Sequence, residues 1–297
     1  MNLYPFIEAE KTQQRTVKRA CELLEVSRAA CYANRADSPS TRQLVDTELT
    51  EHIRQAHQRS KGRYGAPPIH AQLRRDGHRH GRKRIARLMR AAGLHGRTPR
   101  RFKRTTIADP AAAARADLVR RDFAVDAAAV NTRWCGDITY IWTWDGWLYL
   151  ATVIDIASRR VVGFALAEHL RSELVAGALT NAVAARDPAP GVIFHADRGC
   201  QYTSRDYATL AGDLEVTLST GRTGQCWDNA LAESFFASLK GECLDLQPWP
   251  TRAEARRATV DYIAWYNGTR LHSALGDLTP DEFEPSAGRE AALMQVA

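Results

Sequence analysis

The clearest architectural signal lies in two neighbouring runs. Trp134-Cys135-Gly136-Asp137-Ile138-Thr139-Tyr140-Ile141-Trp142-Thr143 is followed, after Trp144-Asp145-Gly146, by Trp147-Leu148-Tyr149-Leu150-Ala151-Thr152-Val153-Ile154-Asp155-Ile156. Both are rich in β-branched and aromatic residues, and Asp145-Gly146 between them is a turn signal, so they read as paired strands. Ala157-Ser158-Arg159 supplies a second turn and Arg160–Ala167 a third strand. Downstream the periodicity alternates. A helix is expected over 172–186, a strand at Gly191-Val192-Ile193-Phe194-His195, a helix near 204–213 and a short strand over 215–218. The Gly-bracketed loop 221–224 then precedes helices over 227–243 and 251–266. Three antiparallel strands followed by alternating helix and strand predict an α/β fold, a mixed five-stranded sheet with helices on both faces.

Upstream of the strands the chain reads as helical. Val17, Cys21 and Leu24 form one apolar stripe, Glu25-Val26-Ser27 a turn with Ser27 as N-cap, and a second short helix follows, the pattern of a helix-turn-helix within 15–34. Residues 36–41 read as a linker and about 42–58 as a helix. Pro67 and Pro68 open another helix, which Gly77 closes. From Gly81 to Ala92 the apolar Ile85, Leu88 and Met89 face a core while Arg82, Lys83, Arg84, Arg87 and Arg90 fan outwards, and Gly93 ends the helix. A basic linker over 94–112 and a helix near 113–122 complete this half.

Charge divides the chain the same way. Residues 1–128 carry 27 Lys and Arg against 13 Asp and Glu, while residues 129–297 carry 14 against 21. Within 51–104 the ratio is 17 to 2, too unbalanced for an ordinary solvated helix face, so a nucleic acid partner is expected there. Arg outnumbers Lys 35 to 6, and the guanidinium fork matches phosphate oxygens. No apolar run approaches a membrane span, and Met1-Asn2-Leu3-Tyr4-Pro5 lacks a signal-peptide pattern, so a cytosolic protein is expected. The six cysteines include no Cys-x-x-Cys pair, which argues against a zinc ribbon and for reduced, mostly buried thiols.

Three acids carry the chemistry. Asp137 lies inside the first strand, Asp197 just past the fourth, and Glu233 within a helix, with 59 and 35 residues between them. Only the fold can bring them together. Three converging carboxylates repel by roughly 4 kcal/mol per pair at 4 Å and an effective dielectric of 20. Such a cluster calls for divalent cations, and oxygen ligands suit Mg²⁺ or Mn²⁺. Paired metals stabilise both the attacking and the leaving oxygen in phosphoryl transfer, so cutting and joining of nucleic acid strands is the expected activity. Two other readings compete: a non-catalytic helix-turn-helix DNA-binding regulator, and a structure-specific nuclease that cuts without joining.

The order of elements resembles the ribonuclease-H-like fold of retroviral integrases and transposases. More narrowly, the chain is similar to second-reading-frame transposases of the insertion-sequence-three family. The motifs that carry the resemblance are Trp134-Cys135-Gly136-Asp137-Ile138-Thr139-Tyr140, Val153-Ile154-Asp155-Ile156-Ala157-Ser158-Arg159, His195-Ala196-Asp197-Arg198-Gly199-Cys200-Gln201-Tyr202, Asp228-Asn229-Ala230 with Glu233-Ser234-Phe235-Phe236, and Tyr266-Asn267 with Arg270-Leu271-His272. The resemblance implies that Asp137, Asp197 and Glu233 are catalytic metal ligands, with two Mg²⁺ or Mn²⁺ ions per site. It implies that Lys240, two turns after Glu233, contacts substrate DNA. Gln201 beside Asp197 is a further DNA-contact candidate, and so are the basic residues of 82–90. Asp155 reads as a turn anchor, His195 as a structural hydrogen-bonding group, and Asn229 as a cap or a group orienting Glu233. Trp134, Trp142, Trp144 and Trp147 read as core and rim rather than base-stacking groups.

The expected organisation is a helix-turn-helix segment at 1–36, a basic helical DNA-binding domain at 42–95, a linker and helix at 96–128, an integrase catalytic core at 129–285 and a tail at 286–297. The implied partners are double-stranded DNA, both the element's terminal inverted repeats and the target, an upstream-frame helix-turn-helix protein or a fusion with it, and further copies of the chain. A bacterial, nucleoid-associated location is implied with them, and no membrane.

Overall fold

The computed structural model describes residues 4–12, 16–35, 40–97, 116–119, 122, 124–220 and 230–285. The chain divides into two compact units, Met1–Gly96 and Arg97–Ala297.

The first unit is helical. α1 (Tyr4–Thr12), α2 (Val17–Leu23) and α3 (Arg28–Arg35) bury Ile7, Cys21 and Cys31, with Val17, Leu24 and Val26 packed around them. The pair α2 and α3 was legible from its stripe. α1 was not anticipated, and its Ile7 completes the cluster. α4 (Thr41–Arg59) begins inside the expected linker because Ser40 caps it: its hydroxyl accepts from Gln43 N at 3.3 Å and its own N–H donates to Gln43 Oε1 at 2.7 Å. α5 (Ala66–Arg75) and α6 (Arg82–Ala91) pack on α4 through Leu49, Ile53, Ile69, Leu73, Ile85 and Met89. A Cβ on Gly96 would overlap the backbone of Tyr64 and Gly65, so only glycine lets the chain return so closely after α6. The basic face of α6 is less free than its pattern suggested. Asp46 of α4 binds Arg84 at 2.6 Å and Arg87 at 2.6 Å, leaving Arg82, Lys83 and Arg90 as the exposed cations of that helix without such a tie among the described residues.

Of the helix expected near 113–122, residues 116–119 and 122 are corrected to coil and bends, while 113–115, 120 and 121 lie outside the described residues. Leu118 N instead donates to Ser219 Oγ at 2.9 Å, and Val119 is buried in the core of the second unit. Tertiary anchoring outweighs local helical propensity at 116–119.

The second unit is built on β1 (Arg133–Thr143), β2 (Gly146–Asp155), β3 (Val161–Ala167), β4 (Ile193–Ala196) and β5 (Thr217–Thr220), in the spatial order β3-β2-β1-β4-β5. The first three are antiparallel, and β4 and β5 are parallel to β1. α7 (Ser172–Arg186) matches its expected span, and α8 (Cys200–Thr203) adds a turn that was not expected. Beyond it lie α9 (Arg205–Asp213), α10 (Ala230–Glu242), α11 (Arg252–Gly268) and a last helix over 280–285. Two expected strands sit two residues early. Gly191 takes φ 89° and Glu215 φ 55°, so turns occupy the expected starts and the ladders begin at Ile193 and Thr217.

Helices cover both faces of the sheet. α10 and α11 bury Phe235, Leu239, Ile263 and Tyr266 against Cys135, Leu148, Leu150 and Ile154. On the other face α7, α8 and α9 bury Leu179, Tyr202 and Tyr207 against Trp134, Val153 and Phe194. A Cβ on Gly136 would overlap the Phe194 ring, so this glycine sets the approach of β1 to β4 one residue before Asp137. The edge strand β3 is closed by Asn267, whose amide accepts from Val161 N at 3.0 Å and donates to Val161 O at 2.9 Å. Among the described residues no helix is long and apolar enough to cross a membrane.

Candidate active site

Strand register brings the first two acids together. β1 and β4 run parallel with Cys135 paired to His195, and Asp137 and Asp197 each lie two residues further along. The β1–β4 ladder ends at that pair, so both carboxylates stand where the two strands part. α10 packs on β1 and delivers Glu233 in its first turn.

The electrostatics record the convergence. Asp137 is pushed up to about 8, chiefly by burial, then by the Asp197 charge and more weakly by Glu233; a hydrogen bond from Ile138 N at 2.7 Å and the Lys240 ammonium oppose this. Asp197 is raised by burial, against a 2.9 Å hydrogen bond from Gly199 N. Glu233 is raised by burial and by Asp197. Among the described residues none of the three carboxylates forms an ion pair, and no three His, Cys, Asp or Glu side chains are closed up tightly enough to hold an ion. The Asp137 carboxyl nonetheless feels the Asp197 and Glu233 charges.

Neighbouring residues sort into distinct roles. Asp155 is fully buried and accepts from Asn131 N at 2.7 Å and from Ala157 N and Ser158 N at 2.9 Å, which makes it the anchor of the β2–β3 turn. His195 is buried, with its Nδ1 2.9 Å from Ser219 Oγ on β5. Gln201 Nε2 donates to Leu170 O at 3.3 Å. Burial pushes the Cys135 thiol far up, so this cysteine beside the acids is inert. Cys226, Asp228, Asn229 and the loop 221–224 lie outside the described residues. The sequence reading missed Tyr140. Its phenol is raised by burial, by Tyr149 and by the Asp137 and Asp197 charges, which places it at the edge of the acid cluster. Strand alternation alone sets Tyr140 on the face opposite Asp137, so no local spacing signalled it. Trp134 is core, whereas Trp142, Trp144 and Trp147 are exposed.

Known proteins align with this architecture along its length. An HTH-like domain matches residues 44–102, and two integrase core domain models match residues 127–226 and 214–280. The transposase InsF for insertion sequence IS3A of Escherichia coli (strain K12) is 37% identical over 284 residues, 95% of this chain and 98% of the relative. The insertion sequence element IS986/IS6110 protein of Mycobacterium tuberculosis (strain ATCC 25177 / H37Ra) is 38% identical over 252 residues, 83% of this chain and 90% of the relative. Among solved structures, the HTLV-2 integrase catalytic core domain in complex with magnesium superposes with a TM-score of 0.41 at 16% identity, covering 52% of this chain and 97% of that one. With the HTH-like helices, the integrase-core sheet and an InsF relative matched almost end to end, this chain belongs to the IS3 family of insertion-sequence transposases.

Proposed function

We propose that Asp137, Asp197 and Glu233 form the catalytic centre at which this transposase cuts the terminal inverted repeats of its element and joins them to target DNA. The charge environment of Asp137 carries the reading: Asp197, Glu233 and Lys240, distant in sequence, all act on one carboxyl group. The donor set fits a divalent cation. Its ligands are hard oxygens, no ion pair occupies them among the described residues, and their mutual repulsion is relieved by positive charge. Two Mg²⁺ or Mn²⁺ ions bound there supply the charge that stabilises attacking and leaving oxygens in phosphoryl transfer.

The chain's own groups hold and orient. Ile138 N and Gly199 N fix the Asp137 and Asp197 carboxylates, α10 carries Glu233 and Lys240 on one rigid element, and Lys240 and Gln201 contact the substrate DNA. Water attacks first and a DNA 3′-hydroxyl second, so no side chain becomes a covalent nucleophile.

The helical first unit grips duplex DNA through Arg82, Lys83, Arg84, Arg87 and Arg90. In the full chain, replacing the exposed Arg82, Lys83 and Arg90 with Gln is expected to flatten the dependence of log K on log salt by about 0.9 for each phosphate that is no longer neutralised. An unaltered slope in the triple variant counts against this face.

The chain works as a multimer on chromosomal DNA in the bacterial cytoplasm, together with an upstream-frame helix-turn-helix protein or fused to it. Alone, it is expected to join a labelled end duplex to plasmid with little preference for the element's own ends, and appending the upstream product raises both preference and multimer size. Joining assays with terminal-repeat and scrambled duplexes, with and without chelator, test both points. Chelator-resistant joining removes the metal assignment, and strong discrimination by the isolated chain removes the need for the partner.

A further inference from the structure

Among the described residues, the sheet presents an aromatic face that no helix covers. Apolar packing from α7, α8 and α9 reaches Ile138 and Tyr149. Beyond them, register pairs Tyr140 with Tyr149 and Trp142 with Trp147, and strand alternation places all four on the same side. Their rings touch edge to face: Tyr140–Tyr149 at 5.5 Å, Tyr140–Trp147 at 6.3 Å and Trp142–Trp147 at 4.9 Å between centroids. Even so, Tyr140, Trp142 and Trp147 remain 50%, 58% and 47% exposed.

The platform beneath these rings is firmly built. Thr143 Oγ1 donates to Gly146 O at 2.6 Å, Trp144 N to Trp249 O at 3.0 Å, Arg252 N to Asp145 Oδ2 at 3.2 Å and Arg252 Nε to Trp147 O at 3.2 Å. The hairpin is thus tied to the start of α11 while its aromatic side chains stay in water.

Position and charge say what covers the face. Tyr140 borders the acid cluster, and with Trp142, Trp144, Asp245 and Lys240 it lines a cleft of about 200 Å³. The Lys240 ammonium in that cleft, beside the exposed Tyr140 and Trp142 rings, is complementary to a nucleotide, phosphate to the ammonium and base to the rings. A second copy of the chain is a poorer fit. Three rings of about 150–250 Å² each, roughly half exposed, offer about 300 Å², against about 800 Å² per partner in a stable interface.

We propose that Tyr140, Trp142 and Trp147 form a stacking surface for unpaired bases at the DNA end, with Lys240 holding the adjoining phosphate. This rests on reading Asp137, Asp197 and Glu233 as the strand-cutting site, since strands separate next to the bond being cut. A duplex end that frays there exchanges base–base stacking for base–ring stacking, which lowers the cost of exposing the scissile phosphate to the acids.

The test is binding of the full chain, in chelator so that nothing is cut, to two labelled end duplexes: one fully paired and one mismatched over its last few base pairs. The wild-type chain is expected to bind the mismatched end about tenfold more tightly, since stacking contributes ~1–3 kcal/mol per base. Trp142→Ala with Trp147→Ala loses that preference, and Trp142→Phe with Trp147→Phe restores most of it. Equal wild-type affinity for both ends, or a preference that survives the double alanine change, overturns the proposal. So does a fall in multimer size in that variant without loss of preference, which assigns the face to a second copy. Cleavage by Asp137→Asn, measured separately with Mg²⁺, reports on the acid site alone, so failure of that reading is distinguishable from failure of this one.

Discussion

Asp137→Asn and Glu233→Gln are each expected to lower cleavage and strand transfer by about 10³-fold or more, the scale on which single groups that stabilise transition-state charge act. The same Asp137 change is expected to stabilise the fold. With the folded carboxyl raised to about 8, the unfolded chain is ionised and the folded chain protonated between the usual carboxylate range and that value. Folding takes up a proton in this window, so the contribution to stability is complete at low pH and is lost as pH rises towards 8. The asparagine variant lacks that slope. In chelator its melting temperature should exceed the wild-type value by about 3 °C or more at pH 8, with the gap closing near pH 4. Adding Mg²⁺ should raise the wild-type melting point and leave the variant's nearly unmoved. Retained strand transfer, or a variant melting lower than wild type at pH 8, removes Asp137 from the centre.

The second large effect is expected at Arg270→Ala. The motif Tyr266-Asn267 with Arg270-Leu271-His272, noted in the sequence without an assigned task, proves to be a buried polar lock on the end of α10. Arg270 Nη2 meets Glu242 Oε1 at 2.8 Å and Tyr262 donates to Glu242 Oε2 at 2.8 Å, with the Arg270 and Glu242 side chains only 22% and 8% exposed. Burial works against the guanidinium charge, and the Glu242 carboxylate more than offsets it. His272 is pushed the other way, down to about 3, by burial and by Arg270, so it stays neutral beside the Tyr266 ring. Removing Arg270 takes an ion-pair partner from a buried carboxylate, a loss of about 3–5 kcal/mol, or about 10 °C in melting temperature for a unit of this size. Glu242→Gln with Arg270→Met should recover most of that stability, because no charge is then left unpaired. A melting point within about 2 °C of wild type for Arg270→Ala would mean that water reaches the pair.

These two sites mark what the sequence could and could not carry. The hairpin was legible to within a residue or two because β-branched and aromatic residues crowd both sides of the Asp145-Gly146 turn, and α7 occupies the span expected for it. Asp137 and Asp197 each stand two residues past the paired Cys135 and His195, a neighbourhood set by the β1–β4 register rather than by any local pattern. Elements fixed by remote partners were not legible. Residues 116–119 forgo helix for the Ser219 hydroxyl 101 positions away, and the turns at Gly191 and Glu215 displace two strand starts. The exposure of Trp142 and Trp147 depends on where the α7 side stops covering the sheet, which no local pattern encodes. Arg84 and Arg87 looked free because Asp46, which holds them, lies on another helix.

The placement of Glu233 on α10 has a consequence during synthesis. Asp137 leaves the ribosome 96 residues before Glu233. At about 5–20 residues per second, that leaves roughly 5–20 s in which the antiparallel hairpins can form while the third acid does not yet exist. Strands β1 to β3 need only neighbouring contacts, whereas the centre closes last, when α10 docks across them. A chain still short of α10 therefore carries the β1–β3 half-sheet and Asp137 without Glu233, and on the proposed assignment is expected to be inert towards the chromosome from which it is expressed.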